Sequence, residues 1–374
     1  MLNAPPDAID TSLVRRVLVT KLRHHGDVLL ASPVFTVLQR ALPGAEIDAL
    51  VYRETAPMLE SHPAISRLHT IDRDWKRRGA WSQLGAETGL LRALAARRFD
   101  LIVHLTEHPR GAWLTRLLRP RYAVARELPR AHWLWRSSFT HYYRLPRGRP
   151  RHTVECNLDA LRRLGLQPAS GDRALVLVPG ERDTARANAL LSEHGIEARR
   201  FIQLHPGSRW LFKSWTPERY SALIEAIVGE GWRVVVTGAP EERERQLVAA
   251  TLALLAGSVR AQVTDLSGAL SLRELAALTR QARAFVGVDS APMHIAAAMG
   301  TPVVALFGPS GEVEWGPWQV THRIVASTEH PCRPCGNDGC GGGKVSECLT
   351  TLPVARVHAA LSEILAESEL PAPR

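Results

Sequence analysis

Residues 285–310 read FVGVDSAPMHIAAAMGTPVVALFGPS. The opening apolar run is β-like and stops at Asp289-Ser290-Ala291-Pro292. Pro292 suits the first turn of a helix, where its missing N–H has no intrahelical partner to lose. Small residues follow, giving a helix that packs closely, and then Pro302–Phe307 forms a second apolar run that ends in FGPS. A strand, turn, helix and strand in this order make a βαβ unit, whose two strands lie parallel. The turn after the first strand is where such sheets receive an anion, because the helix N-terminus offers free N–H groups there.

The same pattern extends in both directions. In the first half, strands are expected at Val17–Thr20, Ile47–Val51, Leu101–Leu105 and Tyr122–Ala125, with helices over Val28–Leu42 and Thr88–Arg98. In the second half, strands are expected at Phe201–Leu204, Arg233–Thr237, Ala284–Val288 and Pro302–Phe307. The helices between them fall at Pro217–Gly229, Glu241–Ala256, Ser271–Gln281 and Pro292–Met299. The fold class is therefore α/β: two Rossmann-like domains, joined near Gly165–Gly180 and expected to face each other across a cleft. The expected boundaries are 1–170 and 171–350, with 351–374 as a C-terminal helix and tail. Arg126–His152 is basic and aromatic without a clean period, and reads as loop or exposed helix.

The 374 residues are 45% hydrophobic and 22% charged, as in globular proteins. No run reaches the roughly 18 apolar residues of a membrane span, and the N-terminus lacks the basic-then-apolar form of a secretory signal. The expected compartment is the cytoplasm. The net charge of +10 is uneven: residues 1–170 hold 27 Lys and Arg against 15 Asp and Glu, whereas the rest hold 20 against 22. One basic half points to an anionic partner. No nucleic-acid module is recognisable, so nucleic acid is not expected as that partner.

Three stretches carry candidate chemistry. TKLRHHGDVLLASP (Thr20–Pro33) places Gly26-Asp27 at a strand end where a helix begins. Asp27 is open to two readings, a helix cap or a general base. IQLHPGSRWLFKSWTPERY (Ile202–Tyr220) offers Ser208, Arg209 and Lys213 to a phosphate, with His205 at the strand end. Asp289-Ser290-Ala291 forms the third, a diphosphate seat. Neither half holds G-x-G-x-x-G or a Walker sequence, which disfavours a nicotinamide enzyme or a phosphate-loop ATPase. The acidic pair of DRD (Asp72–Asp74) lies beside basic residues and reads as a solvated loop. Cys332, Cys335, Cys340 and Cys348 are spaced C-x2-C-x4-C-x7-C, so they read either as a small structural zinc site or as reduced loop cysteines.

These stretches together resemble glycosyltransferase family 9, the lipopolysaccharide heptosyltransferases, in the expected order and over nearly the whole chain. The opening motif and CRPCGNDGCGGGKVSECL look most like the heptosyltransferase III branch. The resemblance implies a GT-B fold, ADP-L-glycero-D-manno-heptose as donor and an inner-core heptose of lipopolysaccharide as acceptor. It also implies inversion at the anomeric carbon with no required metal or other cofactor. Addition of the third heptose is the reading taken; heptosyltransferase I or II, another ADP-sugar transferase of the family, or a non-catalytic nucleotide-sugar-binding protein of the same fold are the alternatives. By the same resemblance Asp27 becomes the base and Lys213 the residue that meets charge on the leaving ADP. Ser208, Asp289, Ser290, Ala291 and His294 become donor-binding, and Glu242, or Glu241, holds the ribose. Lys21, Arg23, His24 and His25 make a loop more basic than is usual in the family, which is read as acceptor recognition. The anionic, lipid A-linked core would bring the protein to the cytoplasmic face of the inner membrane; Trp133 and Trp135 read either as contacts with that surface or as residues of a solvated loop packed inward.

Overall fold

The computed structural model describes residues 5–77, 79–145 and 148–367. The chain divides into two compact units, Met1–Val178 and Pro179–Arg374. In the first unit, strands β1 (Arg16–Lys21), β2 (Glu46–Tyr52), β3 (Arg67–Ile71), β4 (Leu101–His104), β5 (Tyr122–Arg126) and β6 (His141–Tyr143) form one sheet in the order β3-β2-β1-β4-β5-β6. Every pairing is parallel. Helices α1 (His25–Leu29), α2 (Ser32–Ala41), α3 (Ala80–Arg97), α4 (Arg110–Leu118), α5 (Trp133–Arg136) and α6 (Thr153–Arg163) connect them.

The second unit repeats this plan. Its strands are β7 (Phe201–His205), β8 (Arg233–Val236), β9 (Val263–Asp265), β10 (Ala284–Val288), β11 (Val303–Phe307) and β12 (His322–Ala326), in the parallel order β12-β11-β10-β7-β8-β9. Around them run α7 (Glu181–Glu193), α8 (Pro217–Gly229), α9 (Glu242–Ala253), α10 (Gly257–Arg260), α11 (Leu272–Thr279), α12 (Ala291–Ala298), α13 (Glu312–Trp315), α14 (Glu347–Thr350) and α15 (Val354–Glu367). The C-terminal helix α15 belongs to this unit. Its Val357, Leu361 and Ile364 share a core with Ile202 and Leu204 of β7 and with Leu223 and Ile227 of α8. The alternate residue of β7, Phe201, packs with Leu190 of α7 and Leu278 of α11. Helices therefore cover both faces, as parallel sheets require.

All eight expected strands are present, and the four unexpected ones, β3, β6, β9 and β12, are the four sheet edges. The central strands β4, β7, β10 and β11 are buried at every residue, whereas β3 and β12 each hold a single fully buried residue. Edge strands lack the unbroken apolar run that marks a doubly covered strand. The single helix expected at Val28–Leu42 is broken into α1 and α2, with Pro33 in the first turn of α2.

In both sheets the chain starts at an inner strand, runs to one edge, and then returns on the other side. Each sheet thus has a topological switch point, β1/β4 in the first unit and β7/β10 in the second. Connections from the two strands there leave to opposite faces and open a crevice at their carboxyl ends.

The first unit also buries ionisable groups. Asp48 of β2, wholly buried, accepts two bonds of 2.8 Å from Arg97 of α3 and one of 2.8 Å from His69 of β3. Burial alone would raise its pKa, but His69 and Arg97 outweigh burial and hold it below the usual carboxylate range. His104 of β4 bonds Thr20 through Nδ1 and stacks on Phe139. Its pKa falls to about 3 because burial disfavours the charged ring, and His62 falls for the same reason to about 4. Unfolding restores both to about 6.5, so between pH 6.5 and these lowered values the unfolded chain binds more protons. Stability is then full above pH 6.5 and is lost as pH falls, by about 2 kcal/mol per histidine between pH 7 and pH 5. Urea unfolding at the two pH values measures this, and an unchanged midpoint would contradict it.

Candidate active site

At the switch point of the second unit, the register pairs Val286 with Leu204 and Gly287 with His205, so β7 and β10 end together. The connection after β7 carries Pro206-Gly207-Ser208 and a single 3-10 turn, Leu211–Lys213. The connection after β10 carries Asp289 and Ser290, the latter as N-cap of α12. Across the crevice Lys213 Nζ meets Asp289 Oδ2 at 2.7 Å, with the carboxylate 8% and the ammonium 22% exposed. Ser290 caps no amide, and its Oγ is buried without a hydrogen-bond partner among the described residues. A buried hydroxyl left unpaired costs about 1–3 kcal/mol. Ala291 opens α12 and His294 lies buried one turn along it. Ser208 is buried in its own loop, donating to Trp210 O at 2.7 Å and accepting from Trp210 N at 3.1 Å.

The turn after β8 lies beside this group. Of its acidic residues, Glu241 is the N-cap of α9 and makes no side-chain cap bond. Glu242 is exposed, 3.6 Å from Arg245, and accepts from Gln246 at 2.9 Å. The residue the sequence reading passed over is Glu244. Buried, it accepts from Ala239 N at 3.0 Å and lies 3.7 Å from His205 Nε2. His205 in turn bonds Thr237 Oγ1 at 2.9 Å through Nδ1. Burial would raise the Glu244 pKa, yet the hydrogen bond and charge of His205 and the Ala239 amide hold it down. A Cβ on Gly207 would lie 2.3 Å from Glu244 Oε2, so glycine is required for this carboxylate to sit beneath the turn. The signal was available as an acidic residue one helical turn beyond a Gly-Ala-Pro bend.

In the first unit Asp27 is in the first turn of α1 and 16% exposed, with Arg23 Nε 4.0 Å away. Among the described residues no helix amide donates to its carboxylate, and the N-cap is His24, so the capping reading has no bond to support it. His25 Nε2 contacts Glu54 O at 2.8 Å. Lys21, expected to meet the acceptor from the surface, is instead buried. Its Nζ donates to Leu105 O at 3.2 Å and Asn157 Oδ1 at 3.0 Å, and Asn157 Nδ2 donates to Leu30 O at 3.0 Å. Burial pulls its pKa down to about 8, against the raising effect of Asp27. Lys21 is thus buried at the end of β1, apart from the exposed Arg23 of the same basic stretch.

The remaining candidates are structural or dispersed. Asp72 accepts from Asp74 N at 2.9 Å and pairs with Arg53 at 3.5 Å. All five cysteines are free, and among the described residues no group of three or more His, Cys, Asp or Glu is gathered to hold a metal. Main-chain and arginine contacts order the segment of the four clustered cysteines: Gly336 N to Pro309 O at 2.9 Å, and Arg333 to Gly308 O at 2.7 Å. Trp135 is buried, donating to Arg126 O at 3.1 Å, whereas Trp133 is exposed.

Two six-stranded parallel sheets, each with helices around it and a switch point at its centre, give the chain the GT-B architecture of glycosyltransferases. The sequence profile of glycosyltransferase family 9 (heptosyltransferase) matches residues 88–345, and the chain belongs to that family. It is 35% identical over 348 residues to lipopolysaccharide heptosyltransferase 3 of Escherichia coli, covering 93% of this chain and 98% of that one. Lipopolysaccharide heptosyltransferase 1 of Pseudomonas aeruginosa is 30% identical, covering 87% of each. Among solved structures, a family 9 glycosyltransferase from Veillonella parvula superposes with a TM-score of 0.79 at 24% identity, covering 94% of this chain and 97% of that one. The ADP-heptose heptosyltransferase II of Escherichia coli gives 0.74 at 21%, covering 95% and 99%.

The contact under Gly207 is open to a direct check. Gly207→Ala should destabilise the protein by about 1–3 kcal/mol, the usual cost of overpacking. Because the obstacle is one side chain, the Gly207→Ala/Glu244→Ala double variant should cost less than the sum of the singles in urea unfolding. Additive costs would contradict the contact.

Proposed function

We propose that this protein transfers L-glycero-D-manno-heptose from ADP-heptose to an inner-core heptose of lipopolysaccharide, adding the third heptose with inversion and without a metal ion. The observation that carries the reading is the Lys213–Asp289 pair at the β7/β10 switch point, beside an unsatisfied Ser290 hydroxyl at a helix N-terminus. The near full-length relationship to a heptosyltransferase 3 supports the choice of acceptor. Asp27 takes the proton from the acceptor hydroxyl as that oxygen forms its bond to C1 of the donor sugar. The bond from C1 to the β-phosphate oxygen breaks on the opposite face, and its electron pair leaves with ADP. Lys213, Ser208 and the α12 amides meet the charge that develops there, the type of preorganised contact worth about 3–4 kcal/mol. Asp289, Ser290, Ala291 and His294 seat the diphosphate and sugar, and Glu242 takes the ribose hydroxyls. Arg23, His24 and His25 face the anionic acceptor, while the buried Lys21 ammonium acts on Asp27 through its charge.

The acceptor is lipid-linked, so the protein works at the cytoplasmic face of the inner membrane as a peripheral protein. Among the described residues no helix is long and apolar enough to cross a bilayer.

The test is ADP release from ADP-heptose with purified core oligosaccharides ending after one, two or three heptoses, with and without EDTA. Turnover is expected only on the two-heptose core and should be unchanged by EDTA. In Asp27→Asn it should fall by about a hundred- to ten-thousand-fold while ADP binding persists. Turnover on the one-heptose core would reassign the acceptor, and loss in EDTA would overturn metal independence. No turnover on any core, despite ADP binding, would overturn the reading.

A further inference from the structure

The largest exposed apolar side chains of the first unit include Trp113 and Leu117 of α4 and Trp133 of α5, which are 56%, 57% and 61% exposed. Trp113 and Leu117 are one helical turn apart and so share a face of α4. Arg116 lies on the same face and bridges to α5: its guanidinium is 5.2 Å from the Trp133 ring, and its Nε donates to Ser138 Oγ at 3.0 Å. Two tryptophans, a leucine and an arginine are thereby fixed as one surface, with Arg119 and Arg136 exposed at its margins. Residues 110–136 hold seven arginines and one acidic residue, Glu127, which Arg144 already engages. Beside α5 the surface continues into a groove lined by Leu128, Pro129, Arg136, Tyr142 and Arg144.

Scattered exposed apolar residues need no explanation. A contiguous aromatic patch edged by cations that pair with no carboxylate among the described residues is different, because tryptophan side chains settle at the boundary between head groups and acyl chains while arginines meet lipid phosphates. We propose that the α4–α5 face, with Trp113, Leu117 and Trp133 at its centre and Arg116, Arg119 and Arg136 around them, docks on the surface of an anionic phospholipid bilayer. The sign of the charge selects this occupant: phosphate head groups are anionic, whereas a second copy of the same face would set arginines against arginines. The inference deepens the proposed work on a lipid-linked acceptor and rests on that reading, since docking would hold the first unit where such an acceptor is anchored.

Cosedimentation of the whole protein with vesicles tests it. Wild type should bind vesicles of phosphatidylethanolamine with phosphatidylglycerol and not vesicles of phosphatidylcholine alone. Each arginine near an anionic surface contributes a factor of about five at low salt, so Arg119→Gln/Arg136→Gln should lower partitioning by roughly 25-fold. Trp113→Ala/Trp133→Ala should lower it by about tenfold or more, from the apolar area withdrawn from the interface. Both variants alter exposed side chains only, so their thermal unfolding and their turnover of a soluble two-heptose oligosaccharide should match wild type. No preference for anionic vesicles, or full binding by both variants, would overturn the docking face while leaving the transferase reading intact. Self-association of wild type in solution that Trp113→Ala/Trp133→Ala abolishes would also overturn it, by assigning the face to a second copy of the chain. Failure of wild type to turn over the soluble oligosaccharide would instead count against the transferase reading.

Discussion

The contact between Lys213 and Asp289 is the interaction on which the reading of the second unit depends. It joins two connections that leave neighbouring strands for opposite faces of the sheet, and only the β7–β10 register brings their ends to the same level. A nearly buried carboxylate needs a partner, because an isolated charge out of water is costly. The lysine provides it and is held, by the same contact, at the N-terminus of α12. A diphosphate entering this crevice would meet an ammonium already oriented, helix amides without internal partners and a serine hydroxyl that has none.

The first unit applies the same topology. Its switch point at β1/β4 carries a carboxylate, Asp27, with Arg23 4.0 Å away, and the Lys21 ammonium is buried on Leu105 O and Asn157. The buried Lys21 keeps a positive charge near Asp27 without offering it to solvent. Deeper in the same unit Asp48, His69 and Arg97 tie β2, β3 and α3 together. Each switch point thus sets a carboxylate near a cation, Asp27 near Arg23 in the first unit and Asp289 on Lys213 in the second.

What could be read from the sequence follows from where each residue sits. The interior strands announce themselves, since a strand covered on both faces must be apolar throughout, as Ala284–Val288 and Val303–Phe307 are. Arg67–Ile71 and His322–Ala326 pair on one side only and tolerate arginine, histidine and threonine, so they carried no such mark. Strand-end motifs were legible because glycine, proline and small polar residues are forced by the turns themselves. The orientation of individual side chains was not. Lys21 reads as one more cation in a basic loop, and only its position as the last residue of β1 turns it inward. Glu244 is indistinguishable from Glu241 and Glu242 until α9 rotates it beneath Gly207. Trp133 and Trp135, two apart in a short helix, had to face different ways, but which of them faces solvent is decided by Phe139 and His104, which pack on Trp135.

The most direct measurement is a calorimetric titration of ADP into the wild-type protein and into Lys213→Met at low ionic strength. If the switch-point lysine is a seat of the donor's diphosphate, the variant loses affinity by about 2–4 kcal/mol, roughly thirty- to a thousandfold, as when one partner of a buried charged contact is removed. Equal affinity in the two proteins would place the nucleotide elsewhere and contradict the account of the site.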